Sequence, residues 1–221
     1  MHLVSLDSVS FTYEGKTVPA VDNVSLTIYP GESVSIVGLN GSGKSTLARL
    51  MVGLLKPQKG TVLLSGKPIG GYTLPEIGSK LGFVYQNPSL MLFNTSVYKE
   101  MAFGLKWKGI KGDELKQICQ KYLSFFDLWD LRDELPFNLS QGQKQIMVLS
   151  SILALEPECL ILDEPTKNID IFRKHKLKRL LMDIHSRGTG LVIITHDYDF
   201  ADGLCERRIH MANGRIINDG Y

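Results

Sequence analysis

With 25 Lys and Arg against 23 Asp and Glu, 43% hydrophobic residues and 22% charged ones, this 221-residue chain has the make-up of an ordinary globular protein with one large core, or a core bearing a lobe. A formal charge of +2 gives no general case for a nucleic-acid partner, no apolar run nears the ~20 residues that span a bilayer, and the opening MHLVSLDSV lacks the layout of a signal peptide. Cys119, Cys159 and Cys205 are scattered, without metal spacing, and read as small core residues in a reducing cytosol.

From Leu3 to Phe11 and from Val24 to Ile28, apolar residues alternate with polar ones, the period of half-buried strands. Between them Tyr13 precedes a turn and reads either as a packed aromatic or as a ring offered to a ligand. Pro30 and Gly31 turn the chain into an apolar strand, Ser33 to Val37, which stops at Gly38, and a helical pattern starts after Lys44. Here Gly38, Gly43, Lys44 and Ser45 fit the pattern G-x-x-x-x-G-K-[ST]. Glycines at 38, 41 and 43 let loop N–H groups approach phosphate oxygens, and the helix N-terminus points its dipole at the same oxygens. Lys44 adds a mobile charge for the β- and γ-phosphates, and the Ser45 hydroxyl is placed to ligate Mg²⁺.

Gly60 to Ser65 and Leu81 to Tyr85 read as further strands, with a turn at Gly70 and Gly71. Gln86 follows, and its neutral amide can reach Mg²⁺ or an attacking water. The stretch from Gln86 to Leu105 reads as a loop because Pro88 interrupts regular structure; Leu90, Leu92 and Phe93 then pack inward or form a docking surface. An amphipathic helix is predicted from Asp113, as N-cap, to Phe126, with Leu115, Ile118, Cys119, Tyr122 and Phe126 on one face. Pro136 closes this lobe, and Ser140 with Gly142 heads a helical run through Leu155 whose N-terminus is a second anion site.

Cys159 to Leu162 predicts a buried strand ending in Asp163 and Glu164, where α/β sheets place their ligands. One carboxylate can hold Mg²⁺ through water while the other, pointing the opposite way in an extended chain, faces the γ-phosphate and its attacking water. Asp170 precedes a helix with Leu177, Leu180, Leu181 and Ile184 on its buried side. Its other face, Arg173, Lys174, Lys176, Lys178 and Arg179, reads as solvated rather than nucleic-acid binding. A last buried strand, Leu191 to Thr195, delivers His196, either a structural histidine or a donor to a γ-phosphate oxygen. Arg208 to Met211 and Arg215 to Asp219 then form a closing hairpin around Asn213 and Gly214.

With these residues in order, LSQGQ at Leu139 to Gln143 and LILDEPT at Leu160 to Thr166 among them, the chain resembles an ATP-binding cassette (ABC) ATPase along nearly its whole length. Within that family QNPSLMLF followed by VYKEMAFGL is most similar to the ATPase subunits of energy-coupling-factor importers, which take up vitamins and transition-metal ions. The resemblance implies an α/β fold: a P-loop NTPase core, an antiparallel β subdomain, and an α-helical subdomain at about 87–155, in one domain over 1–221. It implies ATP and Mg²⁺ as cofactors and a head-to-tail dimer with a second cassette, identical or not. It also implies a transmembrane coupling subunit docking near Leu90 to Phe93, and a peripheral place on the cytoplasmic face of the membrane.

Roles follow from the same resemblance. Tyr13 stacks on adenine, and Gly38, Asn40, Gly41, Ser42, Gly43, Lys44, Ser45 and Thr46 hold phosphates. Ser45, Gln86 and Asp163 serve Mg²⁺; Glu164 activates water, His196 steadies the γ-phosphate and Gln86 senses it. Ser140, Gly142 and Gln143 complete the partner's site, with Asp170 among the nucleotide contacts. Gln141 in place of the signature's first glycine, and Ile146 in place of a basic residue, imply a weaker trans contact. Asn168 replaces a glycine and is expected to keep the left-handed turn; Met91 stands where the importer pattern often has glutamine. The chain ends at Tyr221, without the C-terminal dimerisation extension common in that group. Two other readings are a soluble ABC ATPase acting on DNA or ribosomes, usually with tandem cassettes, inserts or a basic linker, and a non-hydrolysing regulator, usually without the carboxylate at Glu164.

Overall fold

Five-residue, mostly apolar strands buried at every position form the middle of the main sheet. In chain order the strands are β1 Val4–Phe11, β2 Val21–Ile28, β3 Ser33–Val37, β4 Lys59–Leu64, β5 Lys67–Pro68, β6 Leu81–Val84, β7 Cys159–Asp163, β8 Gly190–Ile194, β9 Arg207–Ala212 and β10 Arg215–Gly220. The helices are α1 Lys44–Met51, α2 Leu74–Lys80, α3 Val97–Trp107, α4 Gly112–Phe125, α5 Gln141–Leu153, α6 Ile171–Ser186 and α7 Tyr198–Ala201. This computed structural model describes residues 2–220; Met1 and Tyr221, and with them the comparison at the chain's end, lie outside the described residues.

The larger sheet runs β10-β9-β3-β8-β7-β6, parallel except for β10, and β3, β6, β7 and β8 are buried at every residue, as a sheet covered on both faces requires. The smaller sheet is antiparallel, in the order β2-β1-β4-β5. Its inward residues, Val4, Leu6, Val24, Leu26 and Leu64 among them, share one core with α1 and one face of the main sheet. The other face, through Leu160, Leu162, Leu191 and Ile193, shares a second core with α3, α4, α5 and α6. The helical lobe thus packs on the sheet rather than standing apart.

Three local readings need correction. The stretch from 86 to 105 is not one loop: Pro88 opens a 3₁₀ turn, and α3 starts at Val97 behind Ser96, whose hydroxyl accepts the Lys99 N–H. Val97, Met101 and Leu105 bury one face of that helix at four-residue spacing, a period that the proline masked. Asp113 is not the cap of α4; Lys111 takes that position and Asp113 lies in the first turn, where its charge favours the helix dipole. Helix α2 escaped notice although Thr73 and Glu76 form a capping box, the Glu76 carboxylate accepting the Thr73 N–H at 2.7 Å. The closing hairpin is present, and Asn213 and Gly214 both have positive φ, as its two-residue turn requires.

Candidate active site

Parallel strands end their carboxyl edges side by side, and this register brings distant motifs together. From β6 across β7 and β8 to β3, adjacent strands end in Gln86, in Asp163 and Glu164, in Thr195 and His196, and in the loop at Gly38.

The phosphate loop is shaped by close backbone packing. Gly38 and Gly43 have φ of 149° and 102°, and a Cβ on either would stand 2.2 Å from a backbone oxygen, of Met211 and Ala20 respectively. Gly214, in the terminal hairpin, donates its N–H to the Ser42 carbonyl at 3.0 Å. Lys44 opens α1 and is only 7% exposed. Its ammonium donates to the carbonyls of Gly38 (2.8 Å) and Leu39 (2.9 Å) and to Ser42 Oγ (3.4 Å). Burial lowers its pKa, while Glu164 and Asp163 act to raise it. Asn40 and Gly41 form the exposed tip of the loop.

Asp163 and Glu164 are 1% and 5% exposed. They do not diverge by extended alternation: Glu164 has φ of +51°, because the strand ends at Asp163 and the chain turns there. The Glu164 N–H donates to the Ile194 carbonyl and its own carbonyl accepts the Lys167 N–H, so the turn is held from both sides. A left-handed glutamate is strained backbone at the centre of the site. Its carboxylate accepts from Thr195 Oγ1 at 3.3 Å and pairs with His196 Nδ1 at 2.9 Å. The His196 side chain is otherwise exposed. Thr195, buried beside it, had no motif to mark it.

Neither Asp163 oxygen accepts a hydrogen bond of ordinary length and angle, although the Ser45 hydroxyl lies near. Burial pushes this carboxyl's pKa up; the Ser45 hydroxyl, Arg49 and Lys44 act the other way, and Glu164 adds to the rise. Among the described residues no group of three or more His, Cys, Asp or Glu could hold a metal. An orphaned carboxylate beside a serine hydroxyl instead fits Mg²⁺, a hard cation that keeps several waters and takes few protein ligands.

Tyr13 is half exposed, with its hydroxyl 3.2 Å from Thr46 Oγ1 and accepting from Arg49 at 3.3 Å. Gln86 is exposed beyond β6. The backbone just before it is pinned by a contact missed in the sequence: the Tyr85 N–H meets the Met91 sulfur at 3.4 Å. Further along, the buried Glu100 carboxylate accepts the N–H groups of Phe93 and Asn94. Leu92 is buried, so only Leu90 and Phe93 of the apolar stretch are available as surface.

The helix start at Ser140 is capped as its sequence indicates. Ser140 caps α5, accepting the Gln143 N–H at 3.3 Å, while Gln143 Oε1 accepts the Ser140 N–H at 2.8 Å. The Ser140 hydroxyl therefore acts as acceptor within its helix and keeps its own hydrogen for another oxygen. Gly142 packs against the turn at Asn168, where a Cβ would stand 2.4 Å from that carbonyl, and Asn168 has the left-handed φ of 62°. Ile146 is fully buried in the lobe's core, and Gln141 is exposed. Asp170 caps α6 and binds the Arg173 N–H and guanidinium. On the basic face of α6, Lys174 pairs with Asp197 and Lys176 with Asp127, and Lys178 donates to the carbonyls of Asp199 and Asp202. Those charges serve the fold.

A parallel sheet whose ligand edge gathers a phosphate loop, a buried acidic pair and a histidine defines a nucleoside triphosphatase. The family model described as ABC transporter matches residues 21–167. The Energy-coupling factor transporter ATP-binding protein EcfA1 of Mycoplasmopsis synoviae is 38% identical over 220 residues, which cover 99% of this chain and 82% of that protein. The dimeric post-hydrolysis structure of the ATP-binding cassette MJ0796 bound to ADP and Pi superposes with a TM-score of 0.89 at 29% identity, covering 98% of this chain and 97% of that one. The structure of cbiO1 from Clostridium perfringens, part of the ABC transporter complex cbiONQ, superposes with a TM-score of 0.81 at 32% identity, covering 99% and 88%. Several longer relatives match over 90% or more of this chain, which spans 33 to 38% of their length. The chain belongs to the ABC transporter family and is an ATP-binding, ATP-hydrolysing cassette of it.

Proposed function

We propose that the chain powers uptake through a membrane partner as the ATPase subunit of an importer of the energy-coupling-factor type, acting as one domain over 1–221 with a helical subdomain at about 87–155. The likeness to EcfA1 and to cbiO1 supports the subgroup. In this reading two cassettes meet head to tail, and each ATP lies between the phosphate loop of one chain and the Ser140 to Gln143 helix start of the other. The dimeric MJ0796 cassette supports the pairing. Lys44 and the loop amides hold the phosphates, with Ser42, Asn40 and Thr46 in the same cradle, and Tyr13 stacks on the adenine. Glu164 takes the proton of the attacking water, His196 donates to the γ-phosphate, and Gln86 reports its presence. Asp163 and Ser45, with Gln86, would hold Mg²⁺, which supplies a Lewis acid for the β- and γ-oxygens.

The orphaned Asp163 carboxylate carries this metal assignment and yields a prediction. Because burial raises its pKa, the folded chain binds the Asp163 proton more tightly than the unfolded chain does. Stability therefore falls as pH rises through the interval between the ordinary aspartate value and the raised one, and the loss is fully present above it. Asp163→Asn is expected to melt higher than the parent at pH 7 in chelator, with the gain shrinking as pH falls towards the ordinary aspartate range. Mg²⁺-supported hydrolysis should fall by about 10²-fold or more. Melting curves against pH and steady-state ATPase assays read both; a variant less stable than its parent at pH 7 would remove the argument.

No helix among the described residues is long and apolar enough to cross a membrane. The partner surface is a groove of about 600 Å³ between α2, β6, α3 and the end of α5, lined by Leu54, Leu74, Phe83, Phe103, Trp107 and Leu155. Phe93, exposed beside the groove, stacks edge-on against its lining residue Phe103 at 4.8 Å. An apolar groove beside the Gln86 loop suits a short cytoplasmic helix of a membrane subunit, and holds the cassette on the cytoplasmic face. Burial of one Phe is worth about 2 kcal/mol, so Phe93→Asp should weaken that association by about 30-fold and leave ATP affinity unchanged. The test of the function is co-purification: expressed with its neighbouring membrane genes, the parent should be recovered with a membrane protein and the variant should not. If the parent is never recovered with one, the importer reading fails.

A further inference from the structure

Arg49 joins parts of the site that otherwise lie on separate elements. It stands one turn after Thr46 on α1, so both side chains share a helix face. One guanidinium N–H donates to the Tyr13 hydroxyl at 3.3 Å, and the same oxygen lies 3.2 Å from Thr46 Oγ1. Arginine can only donate, so it occupies a lone pair of the phenol and leaves the phenol's proton for Thr46. The guanidinium also sits over the Tyr85 ring, 5.5 Å from its centre, where Phe83 stacks edge-on at 4.7 Å. The Arg49 Nε is buried and has no partner of its own. Tyr13 is braced on its flank by Phe11, edge-on at 5.0 Å.

We propose that Arg49 is a positioning residue for base recognition, fixing the Tyr13 ring through its hydroxyl so that the free face is ready for a purine. The proposal rests on the reading of Tyr13 as the adenine contact. Its physical basis is preorganisation: a half-exposed aromatic that is already oriented loses less freedom on binding than one that swings. The ring is tied to the helix that carries the phosphate loop, so base and phosphates are gripped by one rigid element. The Arg49 charge also reaches Asp163, and the experiment separates that metal-side effect from the base.

Calorimetry compares MgATP with magnesium tripolyphosphate, which has the phosphates but no base, on the full chain and its variants. Arg49→Met and Tyr13→Phe should each weaken ATP binding by about 5- to 10-fold and leave tripolyphosphate binding as in the parent, with the double variant no weaker than either single one. Equal losses for ATP and tripolyphosphate in Arg49→Met would assign Arg49 to the phosphates or the metal and overturn the proposal, as would an additive double variant. Tyr13→Ala separates the two levels: unchanged ATP affinity there sinks the adenine reading itself, whereas weakened binding in Tyr13→Ala with parental binding in Arg49→Met sinks only the role of Arg49. Should Arg49→Met fail to fold, Tyr13→Phe decides, since it keeps the ring and loses the oxygen that Arg49 holds; parental ATP affinity in that variant overturns the proposal.

Discussion

Glu164→Gln is expected to bind ATP as the parent does and to hydrolyse it about 10²- to 10⁴-fold more slowly. The two side chains have the same shape, so the amide can keep its place between Thr195 Oγ1 and His196 Nδ1 and preserve the turn at the strand end. It cannot take up a proton from the attacking water, and the general-base contribution is lost. ATP that is held and not consumed should then keep two cassettes together, and size-exclusion elution with MgATP should move towards a dimer at micromolar protein. A variant that turns over ATP at the parental rate removes Glu164 as the base. One that stays monomeric with ATP, alone and with a partner cassette, removes the head-to-tail pairing.

Lys44→Ala is expected to lower ATP affinity by about 10²- to 10⁴-fold, because charge-assisted hydrogen bonds are worth roughly 1.5–3 kcal/mol each and two of them lie within reach of one ammonium. The loop also loses its inner tie, since the same nitrogen gathers the carbonyls of Gly38 and Leu39. Loss of fold is not the cause: burial already lowers the pKa of this lysine, so the folded chain gains little from its charge. Melting temperature without nucleotide should move by a few degrees at most, and the rise in melting temperature on adding ATP should largely vanish. Undiminished affinity and hydrolysis in this variant would falsify the assignment of the phosphate loop.

Elements whose signal is local were the ones that could be read from the chain. Ser33 to Val37 and Leu191 to Thr195 are short, mostly apolar and bounded by turn residues, and both form central strands within a residue of their expected ends. The Ser140 cap and the left-handed Asn168 were legible for the same reason: each depends on its own neighbours. Much of what could not be read depends on tertiary pairing. Glu164 looked like the next residue of a strand, and only its hydrogen bond to Ile194 on the adjacent strand shows that the chain turns there. Met91 looked like a departure from a pattern and instead fastens the Tyr85 backbone, a contact that no spacing rule encodes. Helix α3 was hidden by Pro88, although Ser96 and the four-residue spacing after it were there to be read. The groove's walls come from four separate elements between α2 and the end of α5, and Leu92 could not be told from Phe93 until the lobe's core was laid out.

The phosphate loop leans on the last hairpin of the chain, through the Met211 carbonyl against Gly38 and the Gly214 N–H on Ser42, and its parent strand β3 pairs with β8 and β9. On the ribosome, residues 38–45 emerge long before any of these supports exists. A nascent cassette therefore carries its phosphate-binding residues in an unformed state until synthesis is nearly over, and cellular ATP cannot guide the early stages of its folding. A chain cut short before the hairpin would keep the complete motif in its sequence and lack the shape that makes the motif bind.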